Sequence, residues 1–230
     1  VGVADHLTAR KDTRPGDVLL MTEGAGGGTI ATAAIYSGFP EVVEQTINLN
    51  FLVACETLMK SDVFKYIHAM TDVTNGGLRG DAFEMAETAG CRIIIDEQAI
   101  GSLVEPHVQE MLEALQIDYL GVSLDALLIV APPEFSEELC RVVQSAGVTM
   151  HEIGYVEKGK AESVLMVDGK ESDFSPRFRE SAYTPVKKVV DTSMHDFEEM
   201  KKGVLRAADS AIQKKQRVLQ RLLDKKKSIQ

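Results

Sequence analysis

The chain has 230 residues, 44% of them hydrophobic and 26% charged, which suits one well-buried core or a domain with an appendage in an ordinary globular protein. No apolar run approaches the ~20 residues of a bilayer span. The opening residues include Asp5, His6, Arg10, Lys11 and Asp12 instead of an apolar signal region, so a cytoplasmic location with no membrane association is expected. The net charge of −10 is uneven: residues 196–230 carry ten basic and five acidic side chains, leaving −15 on the remainder, and so acidic a body argues against nucleic-acid binding.

In chain order, Val1-Gly2-Val3 reads as the tail of a strand, a hint that the sequence is a piece of a longer protein. Arg14-Pro15-Gly16-Asp17 is a turn, and Val18 to Thr22 is a continuous apolar run of the kind found in buried strands. Gly24 to Gly28 form a glycine-rich loop. Thr29 is placed to cap a helix running to Ser37, where Gly38 ends it. Residues 40–60 read as helical with a break near Asn48 to Asn50.

Ile67 to Met70 is a second buried strand, Asp72 to Gly77 a polar turn, and Leu78 to Ala89 a helix closed by Gly90. A β-branched strand (Arg92 to Asp96), a helix (Pro106 to Leu115), a strand (Ala126 to Ala131) ended by Pro132-Pro133, and an amphipathic helix (Glu134 to Ser145) follow. Val148 to Val156 and Ser163 to Val167 read as two strands joined by Lys158-Gly159-Lys160. Their closeness in sequence favours an antiparallel pair. The alternation predicts an α/β (α+β) fold, a mixed sheet flanked by helices. Residues 170–195 are polar and turn-rich and read as a linker; Met194 to about Lys227 has helix-forming composition.

Two stretches could carry chemistry. In Met70-Thr71-Asp72-Val73-Thr74-Asn75-Gly76-Gly77-Leu78 an apolar strand runs into a hydroxyl- and glycine-rich turn from which a helix opens. Backbone N–H groups and the positive helix end then point at one place, which suits a phosphate. Thr71 and Thr74 would add hydroxyls, Asp72 would hold the turn or orient a substrate group, and Gly76 and Gly77 permit positive φ and close approach. The plainer alternative is a strand–turn–helix with Asp72 or Thr74 as N-cap. The second stretch, Glu23-Gly24-Ala25-Gly26-Gly27-Gly28-Thr29, sits likewise between strand and helix. It matches neither the P-loop nor the dinucleotide pattern, and reads as a second anion cradle or as a flexible connection.

The five histidines show no ligand spacing, and Cys55, Cys91 and Cys140 form no Cys-x-x-Cys pair, so neither a metal site nor a disulfide framework is expected. The tail helix shows a stripe of Phe197, Met200, Val204, Ala208, Ala211, Val218 and Leu222, interrupted by Lys215. Its Phe197-to-Ala211 face is expected to pack on protein, its own domain or a neighbour.

The segment Ile67-His68-Ala69-Met70-Thr71-Asp72-Val73-Thr74-Asn75-Gly76-Gly77-Leu78, with Glu84-Met85-Ala86-Glu87-Thr88-Ala89-Gly90, resembles the C-terminal-domain signature of the aminoimidazole ribonucleotide synthetase (PurM-like) superfamily. This superfamily includes selenophosphate synthetase, the dehydratase HypE and thiamine-monophosphate kinase. Arg14 to Leu19, Leu127 to Glu134, Ile153 to Val156 and Val164 to Gly169 agree with it. The resemblance covers about residues 1–170. It implies a junction from an absent ATP-binding domain over 1–15, a C-terminal α/β domain over 16–170, a linker over 171–195 and a basic helical tail over 196–230.

The resemblance further implies an ATP-dependent phosphoryl-transfer enzyme of which this chain supplies the phosphate-facing wall, with ATP and Mg2+ held mainly by the absent domain and none by this chain alone. Thr71, Asp72, Thr74, Asn75, Gly76 and Gly77, with Gly26, Gly27 and Gly28, are the expected binding residues. A phosphate-bearing small molecule, the absent domain and a second copy in a homodimer are the expected partners. Asn75 departs from the Gly or Arg common in relatives, and the terminal cysteine of the HypE branch is replaced by Lys227-Ser228-Ile229-Gln230. The competing reading is a non-catalytic binding or scaffold protein that keeps the fold and uses the tail helix as its interface.

Overall fold

The computed structural model of the chain describes residues 6–74, 76–176 and 197–227. Seven strands form one mixed sheet: β1 (Val18–Thr22), β2 (Ala69–Asp72), β3 (Arg92–Asp96), β4 (Leu127–Ala131), β5 (Met150–Glu157), β6 (Glu162–Val167) and β7 (Lys170–Asp173). Their order across the sheet is β2-β4-β1-β5-β3-β6-β7. Every neighbouring pair is antiparallel except β3 with β6, where Ile93 lies opposite Ser163 and Ile95 opposite Leu165.

The helices are α1 (Gly28–Ser37), α2 (Pro40–Thr46), α3 (Asn50–Met59), α4 (Gly77–Ala89), α5 (Glu97–Gly101), α6 (Pro106–Ala114), α7 (Ser136–Ser145) and α8 (Phe197–Lys227). None among the described residues is long and apolar enough to cross a membrane.

Alternation along β1 and β4 builds two cores, because successive strand side chains point to opposite faces. Leu19, Met21, Leu128 and Val130 join α1, α4 and α6 on one face through Ile30, Leu78, Met85, Met111 and Leu112. Leu20, Leu127, Ile129 and Ala131 join α3 and α7 on the other through Ala54, Leu58, Leu139 and Val143. Helices on both faces explain why these strands read as unbroken apolar runs. Gly38 and Gly90 close α1 and α4 in left-handed conformation, and α2 and α3 break at Asn48 as their sequence predicts.

Four expectations need correction. β5 and β6 do not pair: β3 lies between them, because its Ile93–Ile95 run requires partners along both edges, and Arg92 draws Glu157, Glu162 and Glu171 together around it. Thr29 does not cap α1; its N-cap is Gly27, and Thr29 is buried within the first turn. Asp72 and Thr74 do not cap α4 either, since Gly76 takes that place at φ +96°. The segment read as linker opens with β7 and the fully buried Phe174, so the folded body extends through residue 174; residues 177–196 lie outside the described residues.

α8 is a continuous helix that rests on α1 and α2, on a face that shares the half-buried Ala211 with the expected one but is rotated away from Val204 and Ala208. Ala207 is buried and Gly203, Ser210 and Lys214 are half-buried, whereas Val204 and Ala208 are exposed. Small residues win because they let two helix backbones approach closely. Glu44 latches the contact: its carboxylate accepts from Ser210 Oγ (2.8 Å) and Arg217 Nη2 (2.6 Å), and its backbone oxygen from Lys214 Nζ.

Candidate functional site

Both glycine stretches leave the sheet at the same end. β1 and β2 flank β4, and Met21 lies opposite Leu128 as Asp72 lies opposite Leu127, so the exits of β1 and β2 stand on either side of the entry to β4. The segment Leu120 to Ala126 that feeds β4 is threaded between the two turns. Val73 N–H donates to Ala126 O (2.8 Å), Val73 O accepts from Leu124 and Asp125 N–H (both 3.2 Å), and Gly26 N–H donates to Leu124 O (2.8 Å). Thr22 Oγ1, fully buried, accepts from Leu127 N–H (2.9 Å) and ties the same entry to β1.

That threading explains the glycines. A Cβ on Gly24 would stand 2.5 Å from Leu124 O, and one on Gly27 would strike the Asp125 carboxylate. Gly77 combines φ +63° with backbone of Leu120 to Val122 so close that a Cβ would lie 2.6 Å from Val122 N. α4 is pinned against the same segment: buried Arg79 donates from Nε to Asp118 (2.7 Å), its guanidinium 4.8 Å from the Phe174 ring centre.

The turns open onto a surface cavity of about 300 Å³ lined by Asp72, Thr74 and Asp125 together with Thr46, Asn48, Leu49, Phe51 and Leu52. A second cavity of about 290 Å³ adjoins it across Asn48, lined by Glu23, Gly24, Ala25, Asn50, Glu105 and Lys214 among others. Asp72 and Thr74 are therefore gathered at one opening. Thr71 is turned away, its Oγ1 accepting from Arg10 Nη2 (3.2 Å). Gly26, Gly27 and Gly28 shape the neighbouring loop beside Asp125 without lining the first cavity. Asn75 lies outside the described residues.

The electrostatics come mainly from groups that motif reading does not single out. Arg10, from the segment before β1, reaches Asp81 (Nη2–Oδ1 2.5 Å) and Glu84 as well as Thr71. Asp81 is only 5% exposed, and its Oδ2 is buried with no hydrogen-bond partner. Burial pushes its pKa up to about 7; Glu84 and Asp72 push the same way, while Arg10 and a hydrogen bond from the Thr74 amide oppose them. One amide of the predicted anion cradle, that of Gly77, already donates to the carbonyl oxygen of Thr74 (2.9 Å). The turn as it stands is acidic, with Asp72, Asp81 and Glu84 set against Arg10, and Asp125 exposed at the rim. This donor set fits a phosphate that arrives with a cation better than a bare one.

The sequence signal for Asp125 is faint. It is a single acid at φ +50°, just before the apolar run of β4, bonded by Ser123 Oγ (2.9 Å). The three thiols are not activated: burial is the main influence on Cys55, Cys91 and Cys140 and raises the pKa of each.

The chain is 50% identical over 221 residues to the uncharacterized protein MJ1416 of Methanocaldococcus jannaschii, covering 96% of this chain and 48% of that protein. It is 28% identical over 196 residues to a selenide, water dikinase of Nitratidesulfovibrio vulgaris, covering 71% of this chain and 54% of the relative. A crystal structure of the hydrogenase maturation protein HypE in complex with ATP superposes with a TM-score of 0.57 at 21% identity, over 74% of this chain and 53% of HypE, a likeness of fold. The chain thus spans about half the length of the curated relatives it matches. The family model for the C-terminal domain of AIR synthase related proteins matches residues 14–167, the whole sheet through β6 with both glycine turns, and the chain belongs to that family.

Proposed function

We propose that this chain is the C-terminal half of an ATP-dependent phosphoryl-transfer enzyme and supplies one wall of its active-site cleft. The carrying observation is that two glycine turns, clamped on one strand entry, bring Asp72, Thr74 and Asp125 to one surface cavity. The selenide, water dikinase among the relatives and the ATP complex of HypE support nucleotide chemistry. On this reading ATP and Mg2+ are held mainly by a preceding domain, and the acceptor is a phosphate-bearing or phosphate-accepting small molecule.

The chain's own residues position and neutralise. Thr74 and Gly76 present the turn before α4 to phosphate oxygens, while Gly77, buried with its N–H on Thr74 O, fixes the shape of that turn. Asp72 and Asp125 would receive the accompanying cation at the opening, where its charge would compensate that of the phosphate, and Gly26 and Gly27 leave room for Ile30 and Asp125 beside it. Phosphoryl transfer rewards this kind of placement, since its catalysis is largely positioning and charge compensation.

The test is an amide NMR titration with magnesium pyrophosphate. Shifts at Thr74, Gly76, Gly77 and the Gly26–Gly28 loop, weaker without magnesium and weaker in Asp125→Asn, are expected. Unmoved amides at these positions at tens of millimolar ligand would refute the reading. The chain by itself is expected to release no phosphate from ATP. A non-catalytic scaffold role remains the second reading, and one observation favours it: the outer face of α8 is apolar and exposed.

A further inference from the structure

α8 has two faces. One rests on α1 and α2 through Gly203, Ala207, Ser210 and Lys214. The other carries Leu205, Ile212, Leu219 and Leu223, which are 57, 54, 48 and 56% exposed. At 3.6 residues per turn these four fall within about 20° of a single line along the helix, directly opposite Ala207 and Gly203. Exposed leucines scattered singly need no explanation, but a row of them on one helix face does.

We infer that this row is covered by the same row of a second copy of this chain, with the two α8 helices antiparallel about a twofold axis at Ile212. Ile212 is the midpoint of α8, so such a pair overlaps along the whole helix, about 45 Å at 1.5 Å per residue. A twofold there sets Ile212 against Ile212 and Leu205 against Leu219 of the second copy, and lays Leu223 over the aliphatic stem of Lys201 of the second copy. The stripe is self-complementary in this register, as an isologous interface requires. Because the docked face lies opposite, the two bodies sit on the outer sides of the pair and do not meet.

Charge selects the orientation and the occupant. The first half of α8 balances Glu198, Glu199 and Asp209 against Lys201, Lys202 and Arg206. The second half holds Lys214, Lys215, Arg217, Arg221, Lys225, Lys226 and Lys227 against Asp224. A parallel pair would press two basic halves together, whereas an antiparallel pair sets each basic half against a neutral half and brings it towards the acidic body of the second copy. The inference is independent of the proposed catalytic role.

The experiment begins with sedimentation of the chain from about 1 to 100 µM. A concentration-dependent rise from 25.1 kDa to twice that mass is expected. Ile212→Lys should then sediment as a monomer with an unchanged thermal midpoint, separating the interface from the fold. In a background of Cys55→Ser and Cys140→Ser, Ile212→Cys should cross-link to itself on mild oxidation. Leu205→Cys and Leu219→Cys should cross-link to each other when mixed and not when oxidised alone. A monomer throughout the range overturns the proposal. So does a dimer that survives Ile212→Lys, or self-cross-linking of Leu205→Cys, which would mean a parallel pair. Monomers that instead bind an acidic helical peptide through this face would also overturn it.

Discussion

The two glycine turns have the same local plan, a buried strand, a run of glycines and a helix, yet they are stabilised differently. The turn after β2 is internally complete. Gly77 N–H donates to Thr74 O, Arg10 takes Asp81 and Glu84, and Gly77 lies hard against the backbone of Leu120 to Val122. The turn after β1 carries no such ion pair: Gly24 and Gly26 lie against Leu124 and Ser123, Gly28 meets nothing, and the neighbouring carboxylate, Asp125, is exposed. The same motif thus holds a buried ion pair in one place and an exposed acid in the other, according to what the tertiary structure brings beside it.

Substituting Gly77 should break the turn after β2 most severely. Gly77→Ala combines a left-handed backbone with a Cβ driven into backbone atoms that have no free space to yield, and a loss of about 3 kcal/mol is expected in urea denaturation. A loss below ~1 kcal/mol would mean the 120–122 segment gives way easily, and the contrast between the turns would fall.

Asp81 sharpens the comparison through pH. Its folded pKa of about 7 lies above the ordinary value of 3.8, so between pH 4 and 7 the folded chain holds a proton that the unfolded chain has released. The stability linked to this proton is fully present below about pH 4 and is lost as pH rises through 7. Asp81→Asn, which keeps an acceptor for Arg10 but never ionises, should flatten that decline by roughly 2 kcal/mol in stability measured across the window. An unaltered pH profile would show that Arg10 already neutralises Asp81 at every pH.

The smallest effect belongs to the turn after β1. Gly28→Ala places a methyl group where nothing lies within 4 Å, at the first residue of a helix, and should leave stability unchanged or raise it by about 0.5 kcal/mol. A destabilisation as large as that of Gly77→Ala would make the two turns equivalent after all.

Much of the fold follows from local pattern. The unbroken apolar runs of Val18 to Met21 and Leu127 to Ala131 mark strands covered on both faces, Gly38 and Gly90 mark helix ends, and Asp72 to Gly77 marks the turn. These features depend on neighbours within one turn or one strand, so periodicity and backbone freedom encode them. The site is legible only in part. Asp72 and Thr74 stand in the motif and Asp81 lies in the helix that opens from it, whereas Arg10 reaches Thr71 and Asp81 from 61 and 71 positions away and Asp125 comes from the entry of another strand.

The amino-acid sequence by itself determined that this chain is a mixed α/β domain with two glycine turns and a basic helical tail, because hydrophobic period, glycine placement and charge are local properties. Tertiary structure alone decided that β3 lies between β5 and β6, that the turn after β2 is acidic and already paired, and that α8 docks by Gly203 and Ala207. Strand order depends on which edges are free when the sheet closes. A buried carboxylate acquires its pKa from what surrounds it. A helix with apolar residues on one side and small residues on the other docks by the side that allows the closest approach, leaving its leucines outward.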